Sequence, residues 1–143
     1  FVSHVAHASD IADSESALLT ELSAATGTRV VVVEDNPQPG KVSVPDCLAG
    51  TADYWIDCNV RKNNGSGTGA LRAVAQRVPA AVLLTLNDAI CPTTQRCPPV
   101  VDRIAVFRAG SHLTKTFVNH LAPLLHERLI DAGVAAGPVL VPT

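Results

Sequence analysis

Runs of consecutive apolar residues alternate with helical patterns along this chain. Residues 30–33 (VVVV) and residues 80–86 (AAVLLTL) show no regular polar alternation, which is typical of strands covered on both faces. Residues 10–26 and residues 68–77 place apolar side chains at helical spacing, one before each of these runs. The order helix, strand, helix, strand predicts an α/β fold with a mainly parallel sheet flanked by helices.

Both predicted helices have an apolar face and a stop signal. The first, residues 10–26, is followed by Gly27, and the second, residues 68–77, is closed by Pro79. We expect these apolar positions to point inward: Ile11, Leu18, Leu22 and Ala25 in the first helix, and Leu71, Val74 and Val78 in the second.

The last third of the chain predicts one more strand, over residues 104–108, and a long helix over residues 111–132. Pro123 lies inside this helix, and because proline lacks an amide proton we expect it to kink or split the helix. The apolar stripe of the helix is formed by Leu113, Phe117, Leu121, Leu124 and Leu125. Residues 36–67 form an irregular stretch rich in Pro, Gly and Asn, and loops of this length in compact domains are usually functional or pinned.

The length of 143 residues suits one domain. We assign residues 1–133 to the C-terminal portion of a single α/β domain and residues 134–143 to an apolar, proline-containing tail. Because the sequence begins with Phe1 and contains no Met, we expect a processed product or an excised part of a longer protein. The domain is therefore expected to be incomplete.

Composition and charge argue against several partners. The formal net charge is -2 and no basic block is present, which argues against nucleic acid or an anionic membrane as the main partner. No apolar run approaches the roughly 18 residues of a membrane helix. We expect no cofactor and no metal.

The four cysteines fall into two local pairs, Cys47 with Cys58 and Cys91 with Cys97, each flanked by turn-forming residues. The even count and the loop positions favour two disulfides, which would indicate an extracytoplasmic compartment. Four reduced thiols, or another of the three connectivities that four cysteines allow, remain alternatives. A zinc site is less favoured because neither pair has the spacing of a zinc motif.

The glycine-rich run at residues 65–69 does not satisfy the context of a phosphate-binding loop. No strand precedes it, and its spacing matches neither common glycine motif, so we interpret it as a flexible lead-in to a helix. Asn64 begins a glycosylation sequon, a match that is common by chance. Four of the five histidines have no partner at metal-binding spacing, and we interpret them as surface residues: His4, His7, His120 and His126.

His112 is the strongest candidate for chemistry. It follows a predicted strand and a short turn, with Ser111 as the expected N-cap of the next helix. In an open α/β sheet, ligands usually bind beyond the carboxyl ends of the strands. The positive end of the helix dipole favours a neutral imidazole, the form that a general base needs. A capping or packing role is the alternative.

Two stretches resemble a known family. Residues 29–58 (RVVVVEDNPQPGKVSVPDCLAGTADYWIDC) show a hydrophobic strand, a D-x-P turn and P-x-C, and residues 86–125 (LNDAICPTTQRCPPVVDRIAVFRAGSHLTKTFVNHLAPLL) show a cysteine pair, a short strand and an H-L-T element. These features resemble the SGNH domains fused behind membrane acyltransferase-3 domains. The resemblance implies an SGNH-hydrolase-like, flavodoxin-like α/β fold.

The same resemblance implies a serine nucleophile in a GDS motif, with an Asp and a His in the closing block. Only the His falls on a matching position here, His112, because no GDS is present and the family's Asp falls on Ala109. A backbone carbonyl, or an acid from elsewhere such as Asp102, would then have to orient the imidazole.

The resemblance therefore implies an extracytoplasmic domain, tethered to the membrane through an upstream acyltransferase-3 domain. Its activity would be O-acyl transfer, often of acetyl, or ester hydrolysis on a cell-envelope glycan. Ala109 favours a second hypothesis, a non-catalytic α/β module that binds glycan or positions the membrane domain.

Overall fold

The structure is a computed structural model that describes residues 8–93 and 95–134. His4, His7 and most of the predicted tail lie outside the described residues. The helices are α1 (Ala8–Thr26), α2 (Val44–Gly50), α3 (Tyr54–Asp57), α4 (Thr68–Arg77), α5 (Asn87–Ile90) and α6 (Lys115–Asp131). The strands are β1 (Val30–Val33), β2 (Val60–Arg61), β3 (Ala81–Leu84), β4 (Arg96–Cys97), β5 (Val100–Val101), β6 (Ile104–Ala105), β7 (Phe107–Ala109) and β8 (His112–Leu113).

The two apolar runs form a parallel pair, as their lack of polar alternation predicts. β1 and β3 are aligned from Val30 opposite Ala81 to Val33 opposite Leu84, and helices pack beside them. The α/β class is thus confirmed. The other pairings among the described strands, β2 with β4, β5 with β6 and β7 with β8, are antiparallel.

The buried apolar residues form two clusters. The first, here called the helix–sheet core, joins α1 and α4 to the parallel pair and consists of Ala12, Val32, Ala70, Val74 and Val78. The second, here called the disulfide core, joins the β-hairpins to α6 and consists of Val44, Val60, Ile90, Cys91, Cys97, Val106, Phe107, Phe117 and Leu121. The inward face of α4 is as predicted, since Val74 and Val78 are buried.

The predicted inner face of α1 is wrong. Ile11, Leu18 and Leu22 are exposed, with Leu18 at 64%, and Ala25 is exposed as well. The buried positions are Ala12 and Ser16, whose small side chains face α4. Small residues let two helices approach closely, so packing at this site selects size rather than hydrophobicity. Asp13 and Arg77 form an ion pair between the same two helices.

The expected burial of both strands on both faces is also incorrect. Val32 and Leu84 are buried, but Val33 is 49% exposed and Leu83 is 40% exposed. Among the described residues, β1 and β3 pair only with each other, so each has a free edge and an incompletely covered face.

The irregular stretch at residues 36–67 contains α2, α3 and β2, and a disulfide closes part of it. Cys47 in α2 is bonded to Cys58 after α3, and Cys91 after α5 is bonded to Cys97 in β4. The Cα atoms are 5.7 Å apart in the first pair and 4.4 Å in the second, and the described residues contain no free cysteine.

Helix α6 begins four residues later than predicted. Its N-cap is Thr114, whose side chain accepts a hydrogen bond from the amide of Phe117 at 3.1 Å. Pro123 lies inside the helix and does not split it. The carbonyl that loses its helical donor belongs to Asn119, and both residues are exposed, so water can replace the missing bond.

Candidate functional site

His112 lies on a β-hairpin rather than on a helix. It begins β8, which pairs with β7, and residues Gly110 and Ser111 form the connecting loop. Gly110 has a φ of 53°, a left-handed conformation that glycine adopts without strain. The predicted placement in the first turn of a helix is therefore wrong, and the argument from the helix dipole does not apply. The imidazole is exposed, and it makes no hydrogen bond or ion pair within the part of the chain that the structure describes.

The hairpin register places residue 109 directly opposite His112. Residues opposite each other on one face of an antiparallel pair have Cβ atoms about 4.5–5.5 Å apart. A carboxylate at position 109 would thus lie beside the imidazole. This gives a physical reason for an Asp placed three residues before the His. Ala109 provides only a methyl group there. The pairing has a register shift between Phe107 and Ala109, and position 109 carries no acid.

Thr114 fixes the hairpin to the rest of the fold. Its amide donates to the carbonyl of Val106 at 2.9 Å, and its hydroxyl donates to the carbonyl of Ala105 at 2.6 Å. The same hydroxyl caps α6, and the rings of Phe107 and Phe117 are buried in one core cluster. The Thr of the H-L-T element therefore has a structural role, which the expectation of Ser111 as the N-cap overlooked.

Asp102 does not orient His112 in this structure. Its Oδ2 lies 2.9 Å from Nε2 of His120, on the first half of α6. Asp102 and Arg103 form the tight turn between β5 and β6, with φ values of 49° and 66°. A cavity of about 260 Å³ lies beside this pair, between α5 and α6. This pair was not predictable from sequence pattern because the residues are 18 positions apart and belong to different elements.

A polar cluster lies where β1 and β3 end, and we call it the strand-end cluster. The buried carboxylate of Glu34 accepts hydrogen bonds from Nε of Arg72 at 2.6 Å and from Nδ2 of Asn87 at 3.2 Å. Asn87 also donates to the carbonyl of Asp35 at 2.9 Å. Oδ1 of Asn87 and Oγ1 of Thr68 are buried without a hydrogen-bond partner. This cluster was not predicted from the sequence. Polar residues that follow two apolar runs were a usable signal, because ligands usually bind beyond the carboxyl ends of parallel strands.

The glycine-rich run is fitted to the strand-end cluster. Oδ2 of Asp35 accepts a hydrogen bond from the amide of Gly67 at 2.9 Å, directly before α4 begins. A Cβ at Gly65 would overlap the Asp35 carboxylate and the carbonyl of Asn36. The glycine-rich run thus packs closely against Asp35, which requires glycine, and Asp35 accepts a hydrogen bond at the start of the helix. The interpretation of the run as a flexible lead-in is wrong.

Asp88, next to the cluster, is paired with the C-terminal part of α6. Both oxygens of its carboxylate accept from Arg128, at 2.8 and 2.6 Å. These hydrogen bonds from Arg128 lower the pKa of Asp88 below its usual value and raise the pKa of Arg128. His126 lies on α6, five residues before Asp131, and is partly exposed.

Residues 8–93 and 95–134 contain no group of three His, Cys, Asp or Glu residues placed to hold a metal ion. Within the same residues no helix combines the length and the apolar character needed to cross a membrane.

Comparison with known proteins identifies the family. A family model for the SGNH domain fused to AT3 domains matches residues 3–127, which is most of the chain. No curated protein and no solved structure matches significantly. The match covers the β1 strand, both disulfides and the hairpin that holds His112. The chain belongs to the family of SGNH domains that are fused to AT3 domains.

Proposed function

We propose that this chain is part of an extracytoplasmic SGNH domain that takes part in O-acyl transfer or ester hydrolysis on a cell-envelope glycan. In this proposal the rest of the protein supplies the serine nucleophile and an acyltransferase-3 membrane domain, which tethers the chain to the membrane. Family membership supports the reaction class. The two disulfides support the compartment, because such bonds persist in oxidising environments.

His112 is the residue to which we assign the proton transfer. The observation that carries this assignment is its exposure on a short hairpin, opposite the position where the family has an acid. The imidazole would accept the proton of the serine hydroxyl as the acyl–serine bond forms, and would return a proton to the leaving group. Without a carboxylate at position 109, nothing on the hairpin orients the ring or stabilises the imidazolium.

The second candidate is a non-catalytic module that binds glycan or positions the membrane domain. Ala109 is the specific observation that favours it, because the register places a methyl group where a carboxylate is needed.

The test uses the full-length protein and measures acyl groups on the envelope glycan. We expect His112→Ala to lower turnover by about 10²–10⁴-fold, the contribution of a general base. His120→Ala is the matched control, since it removes another exposed histidine, and it should leave turnover within about twofold.

A second variant separates the two candidates. Ala109→Asp places a carboxylate opposite His112 and should raise turnover by about 10-fold or more, because an acid orients the imidazole. If the turnover of the His112→Ala variant equals that of the unmodified protein, the enzyme proposal is wrong. The proposal of a non-catalytic module then remains.

A further inference from the structure

The antiparallel pairing of β2 with β4 brings together three cationic side chains. Arg61 in β2 is directly opposite Arg96 in β4, and Lys62 follows Arg61. With Gln95 they line a cavity of about 590 Å³, here called the cationic cavity. Like charges directly opposite each other destabilise an antiparallel pair, so this arrangement costs free energy when the cavity is empty of anions.

No carboxylate among the described residues forms an ion pair with Arg61, Lys62 or Arg96. The ion pairs of the described residues use other cations, namely Arg72, Arg77, His120 and Arg128. The concentration of positive charge is local, because the whole chain has a formal net charge of -2.

Backbone carbonyls in and near the Cys91–Cys97 loop bind Lys62 and Arg96, and other hydrogen-bond donors of the cations stay free. Nζ of Lys62 donates to the carbonyls of Cys91 and Thr93, at 3.3 and 3.4 Å, and Cys91 is fixed by its bond to Cys97. Arg96 uses Nη1 for the carbonyl of Asn59 at 2.8 Å. The guanidinium of Arg61 is exposed and has no hydrogen bond to any described residue.

We infer that the cationic cavity binds an anionic saccharide unit, a sugar that carries a phosphate or a carboxylate. Guanidinium groups match the geometry of both anions and bind them through two parallel hydrogen bonds. The amide of Gln95 can both donate to and accept from sugar hydroxyls. The volume lies within the roughly 300–1,000 Å³ of small-molecule sites.

The lining argues against other anions. It contains no aromatic ring on which a nucleobase could stack and no apolar side chain to receive an acyl chain. The inference does not depend on a catalytic role of His112, because binding alone is measured.

The experiment is calorimetric titration of the chain with glucose 6-phosphate and with trigalacturonate, and with maltotriose as the uncharged comparison. Both anionic probes should bind, with an affinity that falls as salt rises because screening weakens the attraction. Maltotriose should bind at least about tenfold more weakly, since it lacks the charge-assisted hydrogen bonds.

Arg61→Gln tests the site itself. The guanidinium of Arg61 makes no hydrogen bond or ion pair with the described residues, so we expect Arg61→Gln to keep the fold and to bind both anionic probes about tenfold more weakly, the loss of one charge-assisted contact. Lys115→Gln is the matched control, because it removes one exposed positive charge on α6, and it should leave the affinity unchanged.

Three results would overturn the inference. The first is equal affinity for maltotriose and the anionic probes, and the second is an equal loss in Lys115→Gln and Arg61→Gln, which would indicate an effect of net charge alone. The third is binding to phosphatidylserine vesicles that depends on Arg61 without binding to either soluble sugar, which would assign the cavity to a lipid headgroup.

Discussion

The two cores of this chain are stabilised by different means. The helix–sheet core has long regular elements, the 19-residue α1 and the parallel pair, yet several of its large apolar side chains face outward. The disulfide core has strands of two or three residues, yet it encloses Phe107, Phe117 and Ile90 completely and contains the Cys91–Cys97 disulfide. The largest fully buried side chains are therefore concentrated where the strands are shortest.

The difference follows from what each element can bury. A hairpin of two residues per strand is marginal in water and needs packing or a crosslink to persist. The Cys91–Cys97 disulfide and two phenylalanines supply both here, beside the short strand pairs that hold His112 and line the cationic cavity. The chemistry proposed above thus depends on the disulfide core.

The largest effect should come from removing a ring of the disulfide core. Phe117 is fully buried, so Phe117→Ala leaves a large cavity and should lower the free energy of unfolding by about 3–5 kcal/mol. Urea unfolding followed by circular dichroism measures the change. Val118→Ala on the exposed side of α6 is the control, and a similar small loss in both variants would show that the core is not packed as described.

The disulfides should rank next. From loop-closure entropy, removing either pair by double substitution to Ala should cost about 2–3 kcal/mol, slightly more for Cys47–Cys58 because its 11-residue separation exceeds the 6 of Cys91–Cys97. The same urea titrations apply. A reductant should destabilise the parent chain and leave a variant lacking both pairs unaffected, and the opposite pattern would contradict the role given to these bonds.

The helix–sheet core should lose stability when the hydrogen bond between Asp35 and the start of α4 is removed. Asp35→Ala removes the acceptor of the Gly67 amide and should cost about 1 kcal/mol, the usual value of an N-cap. Thermal unfolding is sufficient to detect it. Glu21→Ala, an exposed carboxylate on α1, is the matched control; if it destabilises equally, Asp35 does not cap α4.

The smallest effect concerns the ion pair between α5 and α6, Asp88 with Arg128. Because Arg128 lowers the pKa of Asp88 in the folded state, the pair stabilises the fold above the unfolded value of 3.8, and this contribution is lost as pH falls below it. Asp88 is 65% exposed, so the effect should stay under about 1 kcal/mol. Asp88→Asn should flatten the fall in stability between pH 4 and pH 2, and it should have no such effect when Arg128 is already Gln.

Hydrophobic pattern alone predicted the elements that pack locally. The Val30–Val33 and Ala81–Leu84 strands, and the Thr68–Arg77 helix with Val74 inward, follow from runs and spacing that one element contains. The buried face of α1 was not predicted by this pattern. Whether Ala12 or Leu18 is buried depends on how closely α4 approaches α1.

The proposed site residue was chosen by its position, and its local structure was predicted wrongly. We singled out His112 because it follows a short strand and a glycine turn, but it begins a strand, and Thr114 bonds back to Ala105 and caps the helix that follows. The cationic cavity escaped the charge analysis because Arg61 and Arg96 are 35 positions apart and meet only through β2–β4 pairing. A search for basic blocks along the sequence cannot detect such a site.

Pro123 gives α6 a boundary that its continuous shape does not reveal. The missing amide interrupts the cooperative ladder of the helix, so the turns on either side need not fray or exchange their amide protons together. The segment before Pro123 is anchored by Phe117 and Leu121, and the segment after it is anchored by Arg128 at the end of β3. A local opening of one segment of α6 therefore need not spread to the other segment.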